Sequence, residues 1–379
     1  METPHTPRAV VVGGSLAGLF TANALRATGW RVDVFERSAH RLQGRGGGLV
    51  IQQDVVDAMH FAGIDAGELG IRSDDRIVLD ARGQVVHRAY LPQTQTSWGV
   101  LYARLHDALP AGVTHAGERL TSFTDRHTGV TCQFESGRVE TADLLIGADG
   151  ALSSVRARLF PGVVPRYAGY VAWRGLTPEL ALPAAAAQQL GNAFVFQEGD
   201  AHQLLAYRVP GADHSMSPGE RRWNWVWFRK VPAGEPLRRL LVDRDGNTQA
   251  QALAPGAVKP GDVDALRSDA SAMLAPSLRD LILNTAEPFI QAIVDLATPR
   301  MVAGRTVLVG DAAFVPRPHT AGGAARAAAN AMSLAQALRA GTEDITRRLA
   351  EWEAGQLRLG RSLVANGVAL GQRIMGPSP

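Results

Sequence analysis

The stretch Ala9 to Leu19, AVVVGGSLAGL, constrains the fold of this chain more than any other. Arg8 to Val12 is a short apolar run rich in β-branched residues, and Gly13-Gly14 breaks it. Leu16 to Thr28 then places Leu16, Leu19, Phe20, Ala24 and Leu25 at helical spacing before Gly29. That order predicts strand, turn, helix. In such a unit the first glycine allows a tight turn, the second lets a pyrophosphate approach the backbone, and the third lets helix and strand pack closely. Gly13 and Gly18 take the first and third places and Ser15 the second, giving GxSxxG; a serine is small enough to sit there, and its hydroxyl can donate to a phosphate. Arg31 to Glu36, RVDVFE, predicts a second parallel strand ending in a carboxylate about 20 residues from the turn, where ribose hydroxyls are accepted. The charge of Glu36 would repel a 2′-phosphate, so the expected ligand is FAD or NAD. Glycine-rich turns also serve plain close packing. A helix N-terminus contributes only about 0.3 to 1 kcal/mol per charge, whereas nanomolar retention takes roughly 12 kcal/mol, so a cofactor site must draw on other segments.

Two later phrases offer them. Thr306 to Gly310, TVLVG, reads as a buried strand with Asp311 at its carboxyl end, where open α/β sheets bind ligands. Pro318, the pair Gly322-Gly323 and an alanine-rich helix follow, and glycines at a helix start leave amides bare for a flat ring. An aspartate cap on a well-packed helix is the competing reading. Asp143 to Ala148, DLLIGA, is an apolar strand from which Asp149-Gly150 turns into a helix beginning at Leu152 and carrying Arg156 and Arg158. A capping aspartate again competes.

These phrases, with PHTAGGAARAAANA and YVAWRG (Tyr170 to Gly175), resemble the single-component FAD-dependent aromatic hydroxylases of the p-hydroxybenzoate hydroxylase superfamily, in its pyridine-hydroxylase branch, over nearly the whole chain. The resemblance implies a Rossmann-like α/β FAD-binding domain with an inserted β-sheet substrate domain and C-terminal helices. It implies FAD contacts at Gly13, Gly14, Ser15, Leu16, Ala17 and Gly18, and at Glu36 and Arg37. Further contacts are implied at Val50, Leu120, Asp149, Gly310 and Asp311, and at the turn Thr320, Ala321, Gly322, Gly323 and Ala324. Its chemistry would be reduction of FAD by NADH or NADPH, then transfer of one atom of O2 through a flavin C4a-hydroperoxide to an electron-rich, hydroxylated aromatic or pyridine-like ring. The chain departs from the family at Phe314, where histidine is usual, at Ala325 for asparagine and at Asn330 for aspartate. Tyr102 stands where an arginine normally contacts the flavin, with Arg104 two places on. Backbone contacts at the turn survive such changes.

A chain of 379 residues predicts two or three domains with ample core. No apolar run reaches ~18 residues, so no membrane span is expected, and METPHTPRAV lacks an apolar signal region, so the chain is expected in the cytoplasm. The single cysteine, Cys132, alternates with Val130 and Phe134 as a buried strand thiol would. Net charge is only +3 and the arginines are scattered, which argues against nucleic acid. Arg45, inside GRGGG, is a candidate for the phosphates of a nicotinamide dinucleotide or a solvated loop residue. No second strand-GxGxxG-helix exists, which suits a reductant that docks and leaves. A homodimer is the default expectation.

Periodicity places a helix at Gln52 to Phe61, a hairpin over 73–97 turning at Arg82-Gly83, and a helix at Leu101 to Leu109. Strands are expected at Gly169 to Leu176, Ala193 to Gln197, Gln203 to Val209 and Trp223 to Arg229, forming one antiparallel sheet with the hairpin. The expected FAD-binding domain is 1–72, 98–168 and 269–379; the substrate domain is 73–97 and 169–268.

The histidines show no HExxH, and CxxC and GxSxG are missing, so neither a metal set nor a hydrolase elbow is expected. The flavin would carry the reaction. Trp173, Arg174, Tyr207 and His319 are the substrate-site candidates. His319, beside the cofactor loop, would orient or deprotonate a hydroxylated ring, with Tyr207 as a second catalytic candidate. The tryptophans at 223, 225 and 227 share one strand face, as a core stripe does. Competing functions are a flavin halogenase, whose WxWxIP phrase WNWVWF matches without its Ile-Pro, and a carrier that keeps the fold without flavin chemistry.

Overall fold

The computed structural model describes residues 6–40, 42 and 46–377. Its first sheet has the strand order Val302–Ala303, Thr306–Leu308, Leu144–Gly147, Arg8–Val12, Arg31–Glu36, Thr114–Ala116, parallel except at the Val302–Ala303 edge. Arg8–Val12 and Leu144–Gly147 read as unbroken apolar runs because helices cover one face and the strands Gly129–Phe134 and Val139–Ala142 the other, which leaves no solvent side for alternation. From Arg8–Val12 the chain adds strands first to one side and later, at Leu144–Gly147, to the other. That reversal is where such sheets open a ligand crevice. The helix Leu16–Ala27 packs on the alanine-rich helix Gly323–Ala337, whose small side chains permit a close approach.

The second sheet runs Ala252–Leu253, Phe289–Ala297, Arg166–Pro178, Arg222–Lys230, His202–Val209, Ala193–Gly199, Ile71–Leu79, Val85–Ser97, Gly48–Val50. It is not wholly antiparallel as expected: Ala193–Gly199 pairs in parallel with Ile71–Leu79, because a helical crossover, not a tight turn, brings it beside the early hairpin. Trp223, Trp225 and Trp227 are fully buried on one face, against the helices Pro260–Met273 and Pro276–Leu283. The Trp225 indole N–H donates to Thr285 Oγ1 at 2.8 Å, giving that large ring its polar partner. The expected boundary at 269 is therefore corrected. Ala270, Leu278, Ile282, Ile290 and Ala292 share the tryptophan core, so the chain stays with the second sheet through Phe289–Ala297.

A third sheet, Leu120–Arg126, Gly129–Phe134 and Val139–Ala142, holds buried Cys132, whose thiol burial pushes up to about 12. The predicted helix at 101–109 starts earlier, at Trp98, because the Ser97 hydroxyl accepts the Val100 amide. The long helix Ile345–Met375 packs against the turn Pro318–Thr320 and the strand Phe289–Ala297. Among the described residues no helix is long and apolar enough to cross a membrane.

Candidate functional site

A cleft of about 1740 Å³ runs between the two large sheets, beginning at the strand reversal. Its first wall is the turn after Arg8–Val12. Gly13 has φ +112°, and a Cβ there would lie 2.3 Å from the Ala148 carbonyl oxygen. A Cβ on Gly18 would lie 1.8 Å from the Gly13 oxygen, so the helix rests directly on the turn. Gly18 therefore works by packing, and it does not line the cleft. Ser15 caps no helix amide, and among the described residues the amides from Ser15 to Gly18 have no acceptor. Such unspent donors at a helix start fit a pyrophosphate.

Glu36 shapes the same wall. Its Oε2 accepts the Gly14 amide at 2.8 Å and its Oε1 accepts the Ser38 amide at 2.8 Å. Each oxygen keeps a lone pair for a ribose hydroxyl. Gly14 sits behind this carboxylate, on a smaller adjoining pocket. Arg37, Val50 and Leu120 line the main cleft; Arg45 lies outside the described residues. Asp149 also borders the cleft, but its carboxylate is engaged by the Ser153 hydroxyl and by Ser154 N at 2.7 Å, Ser154 Oγ at 2.8 Å and Val155 N at 3.2 Å. It caps the helix Ser154–Leu159, which begins two residues later than the predicted Leu152.

Gly310 and Asp311 form a short turn at the end of Thr306–Leu308. Asp311 can be reached from the cleft, yet protein surrounds it closely, and that desolvation pushes its carboxyl up to about 6. Thr320, Ala321, Gly322, Gly323 and Ala324 all line the cleft. Ala321 is held in the left-handed region at φ 50°, with its carbonyl accepting Gln52 Nε2 at 2.8 Å. Among the described residues the amides of Gly323 to Ala325 have no acceptor, so a second bare helix start lines the same cleft. These two donor-rich ends and the Glu36 carboxylate fit the ends of an FAD molecule.

Three of the four substrate candidates, Arg174, Tyr207 and His319, line the far part of this cleft. Trp173 does not, which corrects that expectation. Alternation along Arg166–Pro178 sends it into the tryptophan core at 6% exposure, while Arg174 next to it faces the cleft. His319 Nε2 lies 2.8 Å from the Tyr170 hydroxyl. Burial, with Arg317 nearby, pushes the imidazole down to about 4, so it is neutral at pH 7; burial likewise holds Tyr170 up at about 12. Arg317, a donor-only guanidinium, lies over the Tyr170 ring, so His319 Nε2 is the acceptor at hand for the phenol proton. The imidazole proton is then on Nδ1, which is buried without a partner.

Sequence reasoning missed Tyr170, though it lies within YVAWRG, and Asn224, within WNWVWF. Both sit at the strand parity opposite the core residues, and that parity was the available signal. Phe194 and Phe196, stacked at 4.6 Å and lining the cleft, were also missed, because nothing local separates them from core aromatics.

Residues 6–163 match the FAD binding domain family and residues 167–295 an FAD binding domain-like family. The chain is 34% identical to 2,6-dihydroxypyridine 3-monooxygenase of Paenarthrobacter nicotinovorans over 365 residues, covering 95% of this chain and 89% of that protein. It is 28% identical to 6-hydroxynicotinate 3-monooxygenase of Pseudomonas fluorescens, over 88% and 83% of the two chains. The solved structure of 2,6-dihydroxypyridine-3-hydroxylase from Arthrobacter nicotinovorans superposes with TM-score 0.92 at 32% identity, covering all of this chain and 95% of that one.

Proposed function

The chain belongs to the FAD-dependent aromatic hydroxylases, and on that premise we propose that it hydroxylates a small aromatic or pyridine-like ring already bearing a hydroxyl. The observation that carries this reading is the continuity of the cleft: one crevice joins the dinucleotide turn at Gly13 to a pocket lined by Arg174, Tyr207, Phe194 and His319 in the second sheet. Relatives named as monooxygenases of hydroxylated pyridines favour hydroxylation over halogenation.

In this reading the amides of Ser15 to Gly18 take the pyrophosphate, Glu36 takes the adenosine ribose, and the backbone from Thr320 to Ala324 lies against the ring end of FAD. Bound FAD supplies acceptance of hydride from NADH or NADPH and transfer of one oxygen atom of O2. The aromatic wall excludes water from the reacting ring and gives it a stacking surface. His319, neutral and protonated on Nδ1, orients a ring oxygen by donating to it. With a pKa near 4 it makes a poor general base at pH 7. Tyr170 is its positioning residue, holding the tautomer through Nε2.

Purified protein loaded with FAD is expected to be yellow and to oxidise NADH or NADPH faster when a hydroxypyridine or phenol is added, with product heavier by one oxygen. Protein that takes up no FAD would favour the carrier function. FAD uptake without any ring-stimulated turnover would refute the hydroxylase.

A further inference from the structure

Arg76, on the strand Ile71–Leu79, lines the cleft as a half-buried cation that no anion balances. Its Nε is buried and unbonded, and among the described residues its guanidinium makes no hydrogen bond or ion pair. The acids of its own strand and of the two strands beside it are engaged elsewhere: Asp74 pairs with Arg72 at 2.8 Å, Asp75 with Arg88 at 2.9 Å, and Glu198 accepts the Gln203 side-chain amide at 2.9 Å. Withdrawing a guanidinium from water is costly unless a partner compensates. What Arg76 does touch is aromatic. Its guanidinium carbon lies 5.1 Å from the centre of the Phe196 ring and 5.5 Å from that of Phe194, and these two rings stack at 4.6 Å. Cation–π attraction holds a guanidinium in place and uses none of its five N–H donors.

Strand register fixes how far this cation lies from the ring pocket. Arg76 pairs across from Phe194, and the Phe194 ring meets the Tyr207 ring of the next strand edge-on at 4.6 Å. Arg76 is thus two strands from Tyr207, about 10 Å at roughly 4.8 Å per strand. A single small ring held at Tyr207 and His319 does not span that distance, so an anion at Arg76 belongs to another molecule. Besides FAD, whose pyrophosphate is assigned to the amides of Ser15 to Gly18, the reductant is the reactant that brings phosphates into this cleft. The sequence holds no second strand-GxGxxG-helix for it, so it must dock on walls already present. A guanidinium with open N–H edges matches phosphate oxygens in geometry and charge. Its half-buried position suits a ligand that arrives and leaves.

Resting on the hydroxylase reading above, we propose that Arg76, held on the Phe194 and Phe196 rings, docks the pyrophosphate of the nicotinamide dinucleotide reductant. FAD-loaded protein is titrated calorimetrically with ADP-ribose, which carries that pyrophosphate and no nicotinamide, and with adenosine, which carries no phosphate. ADP-ribose is expected to bind at least about tenfold more tightly. Arg76→Gln is expected to erase most of that preference and to raise the KM for NADH or NADPH by about tenfold. The kcat at saturating reductant, the Kd of a hydroxypyridine and the FAD content per chain stay at the parent's values, and Arg76→Lys restores part of the loss. Equal binding of ADP-ribose and adenosine in the parent, or a preference that survives in Arg76→Gln, overturns the inference. Weakened hydroxypyridine binding in Arg76→Gln with ADP-ribose unaffected also overturns it, and gives Arg76 to the ring substrate instead. FAD-loaded protein with ring-stimulated turnover and no dependence on Arg76 ends this inference alone. Protein that takes up no FAD ends the hydroxylase reading and this inference with it, and its lack of colour identifies it before any titration.

Discussion

Replacing Glu36 with glutamine tests the dinucleotide end of the cleft at one atom. The carboxylate offers two acceptors, and each is in use: Oε2 for the Gly14 amide and Oε1 for the Ser38 amide, both at 2.8 Å. An amide side chain keeps one acceptor and turns an NH2 group towards the other N–H. One backbone donor therefore loses its partner and meets a second donor. A hydrogen bond to a charged group contributes about 1.5 to 3 kcal/mol, and the charge-assisted bond to a ribose hydroxyl weakens as well. In the free protein water can relieve the misfit, but FAD binding requires the turn to re-form against it. The net loss in binding is about 2 to 4 kcal/mol, or roughly 30- to 1000-fold in Kd. Titrating FAD-free Glu36→Gln with FAD and following flavin fluorescence reads this directly. Glu36→Asp keeps two oxygens at shorter reach and is expected to fall between the variant and the parent. A Kd within about threefold of the parent, with thermal stability unchanged, would show that Glu36 neither anchors the turn nor meets the ribose.

Gly18→Ala places a methyl 1.8 Å from the Gly13 oxygen, so the helix must lift off the strand; a loss of more than about 1 to 3 kcal/mol in urea unfolding together with lost FAD content is expected, and a normal yellow protein would contradict it. Trp173→Phe is expected to cost about 1 to 3 kcal/mol of stability and leave KM for the ring substrate unchanged, since Trp173 belongs to the buried core; a raised KM at unchanged stability would return it to the cleft. His319 sits near 4 in the folded protein against 6.5 in an unfolded chain, so below pH 6.5 the unfolded chain binds a proton that the folded one refuses. Stability should therefore fall as pH drops from 6.5 towards 4, by up to about 3 kcal/mol. His319→Gln should flatten that part of the urea-midpoint profile, and identical profiles would exclude a buried neutral imidazole.

The nucleotide half was legible because its signals are local. One strand, one turn and one helix carry the glycines, and Glu36 follows at fixed spacing, so short-range sequence places Gly13, Ser15 and Glu36 together. Asp149 shows the limit of that logic: a strand-end aspartate looks the same in sequence whether it meets a ligand or a helix, and here its oxygens are engaged by Ser153 and Ser154. The substrate half depends on which face of a strand points where. Trp173 and Arg174 are adjacent and were expected together, but period-two alternation must divide them between core and cleft. The phase of that alternation follows from the helices Pro260–Met273 and Pro276–Leu283 settling on one side, a contact made from far along the chain. The parallel pairing of Ala193–Gly199 with Ile71–Leu79 is likewise a long-range choice that neither strand encodes alone.

The fully buried tryptophan layer beneath the second sheet has a consequence for how such an enzyme can diversify. Strand positions of one parity keep the sheet's curvature, and those of the other parity line the cleft. Exchanges at Arg174, Tyr207 or Val226 can therefore reshape that lining while the foundation under them keeps its shape.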